Sequence, residues 1–372
     1  MPYLTVLPTS LFRSISMHFS DGQVPDEYRR YIGWKVTLIC VVAAALVLTL
    51  VVAISMGAAR IPFTDVVSSL IGGAVSKRFE IIVWNIRLPQ ALTAIVAGAG
   101  LAVAGTAMQS ILRNPLGSPF TLGISHAAAF GAALSVMVLD GGIMTSSQAD
   151  TVNITSPYVT TGIAFVFSLA AAGVIVAVSR LRGSTPEIMV LTGVALGALF
   201  TAGTMFLQFF ADDVQLAAMV FWTFGDTARA SWSELGVVSV VTVICSAYFF
   251  ANGWNYNAID AGDETAKGLG VRVERVRMIG MLLASMLTAV IIAFLGIIGF
   301  VGLVVPHMAR RVIGSDHRFL LPASILSGGL LLLVSDTAAR LILAPHVLPV
   351  SVLTAFMGAP VFIYLIIRGQ RR

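Results

Sequence analysis

Long apolar runs, separated by short segments that carry the charges, are the feature that most constrains the fold of this chain. A helix needs roughly 17–25 mostly apolar residues to cross the hydrocarbon core of a membrane. Only 11% of the residues are charged, whereas a soluble domain carries about 25%. The sequence therefore predicts an all-α integral membrane protein with ten transmembrane helices. The predicted spans are Leu38–Met56, Pro89–Leu112, Pro119–Val138, Tyr158–Ser179, Met189–Phe209, Ser233–Phe250, Met278–Leu295, Gly299–Val312, Phe319–Ile342 and Val350–Ile367.

The distribution of lysine and arginine predicts the orientation of these spans. With ten crossings and the N-terminus inside, 17 of the 23 lysines and arginines fall in cytoplasmic segments. If the short eighth segment does not cross the membrane, the last loops change sides and the numbers of lysines and arginines on the two sides become nearly equal. Because cytoplasmic loops are enriched in basic residues, the ten-span topology with both termini in the cytoplasm is favoured. The net charge of +5 follows from this topology and does not indicate nucleic-acid binding.

The chain is expected to have two parts. Residues 1–35 are too long and too charged for a signal peptide and are interpreted as a cytoplasmic extension. Residues 36–372 form the predicted transmembrane domain. The absence of the pattern Gly-x-x-x-x-Gly-Lys-Ser/Thr from the sequence indicates that the chain has no P-loop and does not itself hydrolyse ATP. We therefore predict that it is not an enzyme and binds no cofactor.

Breaks in the apolar pattern indicate a transporter. Asn114, Pro115 and Leu116 interrupt one half of the sequence, and the run from Gly299 to His307 interrupts the other half. Such residues are tolerated at membrane depth where protein or a water-filled path surrounds them. Their presence in both halves is typical of transporters built from two similar parts.

Charged and small residues inside the spans each allow two interpretations. Arg87 is either an interfacial anchor or a contact for an acidic partner outside. Asp336 and Arg340 lie four residues apart on one helical face, so they either form an intrahelical ion pair or leave Arg340 facing a partner. Gly193 and Gly197 allow two helices to approach closely, or they form the smooth wall of a translocation path.

The predicted cytoplasmic loop 255–277 contains a short helix. Its acidic residues come early and a glycine ends it, as the helix dipole and helix-termination preferences favour. The residues that we single out here are Asp263, Glu264, Lys267, Leu269 and Gly270.

An ion-coupled secondary transporter is the alternative from a different class. It would require acidic residues deep in the membrane. Asp336 is the one candidate that the sequence offers, and its spacing pairs it with Arg340.

Several ordered motifs identify a family. Arg87-Leu88-Pro89, Asn114-Pro115-Leu116 and Leu122 to Ser125 resemble the FecCD family, as do Glu264 to Val271 and the segment Gly299 to His307. Members of this family are permease subunits of bacterial ABC importers for iron siderophores, cobalamin and haem. The resemblance runs from about Pro62 to the C-terminus. It implies the FecCD and cobalamin-importer permease fold in the bacterial plasma (inner) membrane.

The resemblance also implies partners and residue roles. Two ATPase subunits, which bind ATP and Mg²⁺, and a substrate-binding protein are expected to work with two permease subunits. Arg87 and Arg340 match positions that meet acidic residues of the binding protein. Gln90 stands where the family commonly has arginine, which favours a heterodimer with a second permease over a homodimer. The segment Asn114–Leu116 matches the cytoplasmic gate, and the segment Asp263–Gly270 matches the element that docks into the ATPase.

The substrate expected from the resemblance is a ferric siderophore, with cobalamin and haem as the alternatives. Specificity resides largely in the binding protein, so these remain open at the level of the sequence.

Overall fold

The computed structural model describes residues 26–57, 61–138, 142–144, 152–154, 157–344 and 346–369. Its helices are α1 (Asp26–Ser55), α2 (Phe63–Leu70), α3 (Lys77–Ile81), α4 (Leu88–Ile111), α5 (Ile124–Val138), α6 (Pro157–Leu181), α7 (Pro186–Phe210), α8 (Asp213–Thr223), α9 (Trp232–Ala251), α10 (Gly253–Asp260), α11 (Asp263–Gly268), α12 (Val273–Leu295), α13 (Val301–Ile313), α14 (His317–Leu341) and α15 (Val350–Gly369). A π-helical segment, Ile82–Arg87, joins α3 to α4, and Thr227–Arg229 forms a 3-10 turn. Two short strands, β1 (Gly142–Met144) and β2 (Val152–Ile154), pair antiparallel with Gly142 opposite Ile154.

The membrane-protein class that the sequence predicts is confirmed. Among the described residues, seven helical segments are long and apolar enough to cross a membrane, and Ile124–Val138 and Val350–Tyr364 are shorter apolar helices. Helix α13 has 13 residues, which corresponds to about 20 Å at the rise of an α-helix. Each of the ten predicted spans thus contains a helix, although α5, with 15 residues, and α13 are shorter than an ordinary span.

The starts of the first, third and seventh predicted spans differ from the structure, and the seventh begins at Val273 rather than at Met278. The third begins as a helix at Ile124 rather than at Pro119. Gly123, just before it, has a φ of +79°, which a right-handed helix cannot contain. The first helix begins at Asp26, so residues 26–35 of the predicted extension continue directly into the first span. Residues 1–25 lie outside the described part of the chain.

The chain divides into two compact units, residues 1–41 and residues 42–372, and the division falls inside α1. In the first unit, the Lys35 ammonium lies over the Tyr31 ring, 4.1 Å from its centroid. All the functional residues predicted from the sequence belong to the second unit.

Helix α4 is the central element of the second unit, and nearly all its residues are buried. A Cβ atom on Gly98 would overlap the carbonyl oxygen of Gly328 in α14, and one on Gly105 would overlap that of Gly302 in α13. Small residues are what allow membrane helices to approach this closely. The two ends of α4 make separate sets of contacts. We call the N-terminal end, next to Arg87, the Arg87 end, and the C-terminal end, where Ile111 contacts Arg277, the Arg277 end.

The segment from Gly296 to Ile313 connects these two ends. The backbone N–H of Ile297 donates to Thr223 O at 3.3 Å, near the Arg87 end. Beyond it, α13 carries Arg310 to within 2.9 Å of Asp260 at the Arg277 end. An irregular stretch followed by a short helix thereby covers the distance that a single long helix covers elsewhere in the chain.

Candidate functional site

Arg277 lies at the centre of a buried cluster at the end of α4. Its Nε donates to Ile111 O at 3.0 Å, and its Nη1 donates to Ser184 O at 3.0 Å. Its Nη2 donates to both carboxylate oxygens of Asp263, at 2.9 and 3.1 Å. The side chain is only 3% exposed. We call these four residues the Arg277 cluster, and it joins α4, the α6–α7 turn and α11 through one side chain of α12.

The local sequence explains why the three acceptors are accessible to the Arg277 side chain. Ile111 is the last residue of α4, where helix carbonyls lack intrahelical donors and attract cations. Ser184 has a φ of +55° in a tight turn after Gly183. Asp263 is the first residue of α11, which follows Gly262 with a φ of +122°. Each partner therefore stands at an irregular point of the backbone, where a long planar side chain can reach it.

The other residues predicted to couple the chain to an ATPase lie on the surface of α11 and its end. Lys267 donates to Glu264 Oε1 at 3.0 Å, and this hydrogen bond raises the pKa of Lys267 above its ordinary value. Leu269 follows α11 and is 71% exposed. Gly270, with a φ of +83°, then turns the chain toward α12. Asp263 at the start of α11 is thus directed inward, whereas Leu269, just after α11, is left uncovered in the single chain.

A second polar network lies beside the Arg277 cluster. The Arg310 guanidinium donates to Asp260 at 2.9 Å and to Ser110 Oγ at 2.6 Å. Ser110 Oγ also lies 3.1 Å from His317 Nε2, and His317 Nδ1 lies 2.7 Å from Asn257 Oδ1. We call this the His317 network, and it holds α4 to α10, α13 and α14.

Asp316 fixes one edge of the His317 network. Burial by itself would raise the pKa of Asp316, but hydrogen bonds from Arg318 and Asn257 outweigh it and lower the pKa to about 2. The carboxylate is therefore charged at neutral pH. It accepts a hydrogen bond from Asn257 Nδ2 at 3.1 Å and thereby orients the amide oxygen that faces His317.

The predicted gate residues follow α4 directly. Asn114 Oδ1 accepts a hydrogen bond from the backbone N–H of Leu116 at 2.9 Å, which closes a tight turn around Pro115. Leu116 is 41% exposed. Arg113 Nη1 lies 3.9 Å from Asp263 Oδ1, so the gate loop and α11 are neighbours. A pocket of about 310 Å³ opens here, lined by Gln109, Arg113, Asn114, Pro115, Asp260, Arg310 and Ser315.

The three residues predicted to dock a binding protein meet at the opposite end. Arg87 Nη1 donates to Ile54 O at 2.7 Å and Ser55 O at 3.1 Å, so it caps the end of α1. Arg340 lies 3.4 Å from Ala53 O through its Nη2. Arg87 is 5% exposed. The arginines therefore bind carbonyl groups of this chain, and their predicted docking role stays a prediction.

Asp336 connects these arginines to the remaining predicted docking residue. The Arg340 Nε donates to Asp336 Oδ2 at 3.1 Å, which confirms the intrahelical ion pair. Gln90 Nε2 donates to Asp336 Oδ1 at 2.9 Å, and the Thr227 hydroxyl donates to the same oxygen. We call Arg87, Gln90, Thr227, Asp336 and Arg340 the Arg87 cluster. Gln90 has an internal partner, so its difference from the family pattern has an explanation within the chain.

The two glycines predicted to line a translocation path are buried in α7. A Cβ atom on Gly193 would lie 2.9 Å from Leu122 Cα, and one on Gly197 would lie 3.5 Å from Gly123 Cα. These approaches bring α7 close to the beginning of α5 and match the close-packing interpretation. The path role of both residues remains a prediction.

Sequence reasoning counted Arg277 only as a topological charge and missed the cluster around it. One signal was available, because a cation near a helix N-terminus opposes the helix dipole and so needs another partner. The sequence contains no comparable signal for Ser184, which contributes a backbone carbonyl. Among the described residues, no group of three or more His, Cys, Asp or Glu side chains is placed to hold a metal ion.

The fold is that of a membrane permease, and comparison with known proteins agrees. Residues 45–368 match the FecCD transport family. The chain is 49% identical to a Methanocaldococcus jannaschii protein provisionally named ABC transporter permease protein MJ0087, covering 94% of this chain and 99% of that one. It is 39% identical to the hemin transport system permease protein HmuU of Yersinia pestis (78% and 84% covered) and 34% identical to the Fe(3+)-citrate import system permease protein YfmE of Bacillus subtilis (88% and 94% covered).

A solved structure shares the fold. It is an inward-facing conformation of a transporter provisionally assigned to the metal-chelate type of ABC transporter, with a TM-score of 0.77 and 29% identity. The match covers 89% of this chain and 99% of that one. The chain belongs to the FecCD transport family.

Proposed function

We propose that this chain is the permease subunit of an ABC importer and forms the translocation path for a ferric siderophore. The family match over residues 45–368 carries the proposal. Two of the permeases similar to it are named for hemin and for Fe(3+)-citrate, which supports an iron chelate as the class of substrate. Haem is the second candidate, because the hemin permease is 39% identical to this chain.

The proposed mechanism assigns one end of the helices to each side of the membrane. The Arg87 end faces outward and receives the substrate from a binding protein. The Arg277 end faces the cytoplasm, where α11 meets one of two ATPase subunits. ATP and Mg²⁺ bind to those partners, and closure of the ATPases displaces α11 as a rigid body. A second permease subunit completes the path.

Asp336 distinguishes this proposal from an ion-coupled secondary transporter. A coupling carboxylate must release its ion during the cycle. Asp336 instead accepts hydrogen bonds from Gln90 and Thr227 and pairs with Arg340. This arrangement supports a structural carboxylate and favours transport powered by ATP.

Reconstitution tests the function and the substrate together. The permease, its ATPase and its binding protein would be placed in proteoliposomes and offered ferric hydroxamate siderophore, ferric citrate, haemin and cobalamin. We expect ATP-dependent uptake of the ferric siderophore. Uptake of haemin or cobalamin alone would replace the proposed substrate, and uptake driven by a proton gradient without the ATPase would overturn the importer mechanism.

Cysteine labelling tests the orientation. In a variant with Cys40→Ala and Cys245→Ala, Lys267→Cys should react with a membrane-impermeant maleimide only after the cells are opened. Ala228→Cys, which is exposed at the Arg87 end, should react from outside and serves as the control. Labelling of position 267 in intact cells would contradict the topology.

A further inference from the structure

We propose that Arg277 is the positioning residue that transmits a displacement of α11 to the gate loop after α4. The proposal rests on the proposed function, in which α11 meets an ATPase. It goes further by assigning the connection to one side chain. The juxtaposition that carries it is a single buried guanidinium bonded both to Asp263 and to Ile111 O.

The geometry suits arginine rather than another cation. The planar guanidinium holds its N–H donors in fixed directions, so one side chain can bond a carboxylate and two backbone carbonyl oxygens at the same time. Here Nη2 bonds both oxygens of Asp263, while Nε remains directed at Ile111 O. A lysine has a single ammonium group and cannot keep this arrangement. A movement of Asp263 therefore pulls on the Ile111 carbonyl through one rigid group.

The position of Ile111 makes this pull relevant to the gate. It ends α4, and the segment Asn114–Leu116 follows within a few residues. The Nη1 bond to Ser184 O ties the α6–α7 turn to the same guanidinium. The bonds to Ile111 O and Ser184 O are buried, so water competes little for them, and charge-assisted hydrogen bonds are strong there.

The His317 network provides a separate anchor for α4. It binds Ser110, one residue before Ile111, through Arg310 and His317. Substitution of Arg277 therefore leaves α4 attached to α10, α13 and α14. This separation allows a positioning role to be distinguished from a general structural role.

The test uses the assembled complex and a probe of the gate. In a Cys40→Ala, Cys245→Ala background, Leu116→Cys would be labelled with a water-soluble maleimide, with and without ATP and Mg²⁺. The variant is Arg277→Lys. The matched control is Arg275→Lys, because Arg275 lies two residues earlier on α12 and is exposed. Copurification of the ATPase and the rate of ATP hydrolysis are measured in parallel.

We expect ATP to change the labelling rate at position 116 in the background protein and in Arg275→Lys. In Arg277→Lys the ATP-dependent change should fall by about tenfold, a size usual for coupling between sites, while the ATPase still copurifies and hydrolyses ATP. An unaltered ATP-dependent change in Arg277→Lys would overturn the proposal. A background protein that recruits no ATPase would instead contradict the proposed function.

If Arg277→Lys does not fold, the variant Asp263→Asn provides a second test of the proposal. Asp263→Asn removes the carboxylate but leaves the bonds from Arg277 to Ile111 O and Ser184 O available. Since the Asp263 carboxylate is directed at Arg277, the ATPase should still copurify with Asp263→Asn, and the ATP-dependent labelling change should be lost. Retention of that change, or loss of the ATPase from the complex, would overturn the proposal.

Discussion

The Arg87 cluster and the Arg277 cluster lie at opposite ends of α4 and use the same chemistry for different connections. Each contains a buried arginine that binds the carbonyl at the end of a helix, and each also contains a carboxylate. In the Arg87 cluster that carboxylate, Asp336, belongs to a span and pairs with Arg340 on the same helix. In the Arg277 cluster the carboxylate, Asp263, belongs to a short helix outside the spans.

The two carboxylates therefore give the two clusters different structural roles. The Arg87 cluster joins spans to one another and to an adjoining turn, so it fixes their relative positions. The Arg277 cluster joins the spans to an element whose neighbour Leu269 is 71% exposed. A partner that covers Leu269 can therefore act on the spans through the Arg277 cluster, whereas the internal bonds of the Arg87 cluster offer it no comparable connection.

The largest expected effect concerns Leu269, the exposed residue next to the Arg277 cluster. Leu269→Asp should abolish copurification of the ATPase and transport, because it places an unpaired charge in an apolar contact. Leu181→Asp is the control, since Leu181 is 83% exposed at the end of α6. Recovery of the ATPase at the wild-type level with Leu269→Asp would show that docking occurs elsewhere.

The next effect compares the two carboxylates. Asp336→Asn should lower the free energy of unfolding by about 3 kcal/mol, because it leaves the Arg340 charge buried without its partner. Arg277 keeps its hydrogen bonds to Ile111 O and Ser184 O, and the Asp263 side chain is 29% exposed, so Asp263→Asn should cost only about 1 kcal/mol after solvent screening. Thermal unfolding in detergent measures both. Equal losses would remove the proposed distinction between the two clusters.

A smaller effect tests whether the Arg87 cluster has an external role as well. Arg87→Gln should destabilise the chain by roughly 1–2 kcal/mol, because the cationic cap of α1 is lost. If Arg87 also attracts an acidic binding protein, the affinity for that protein should fall most at low salt. Arg78→Gln, on the exposed part of α3, is the control. An unchanged affinity at every salt concentration would leave only the capping role.

The smallest effect is expected on the surface of α11. Lys267→Ala removes the ion pair with Glu264, whose side chain is 89% exposed. Exposed pairs of this kind contribute little to stability, so unfolding should not change measurably. A clear loss of transport with intact folding would identify Lys267 as an ATPase contact and extend the docking surface beyond Leu269.

Much of the architecture could be predicted from local patterns. Three features that are local in the sequence led to these predictions: apolar runs of membrane length, proline and glycine at helix ends, and the basic residues between spans. The same is true of the Asp336–Arg340 pair, since residues four apart on a helix must share a face. A short helix within the loop 255–277 was predicted from its early acids and the glycine at its end, and the structure has it at Asp263–Gly268.

The sequence by itself therefore determined the class of the protein, the helices and the segments that are predicted to carry function. Only the tertiary structure decided how those segments are connected. Gln90 bonds to Asp336 across 246 positions of sequence, and Arg277 bonds to Ile111 across 166. The physical reason is that a buried arginine satisfies its donors with whatever acceptors the packed helices bring to it, and backbone carbonyls such as Ile111 O and Ser184 O carry no side-chain signal in the sequence.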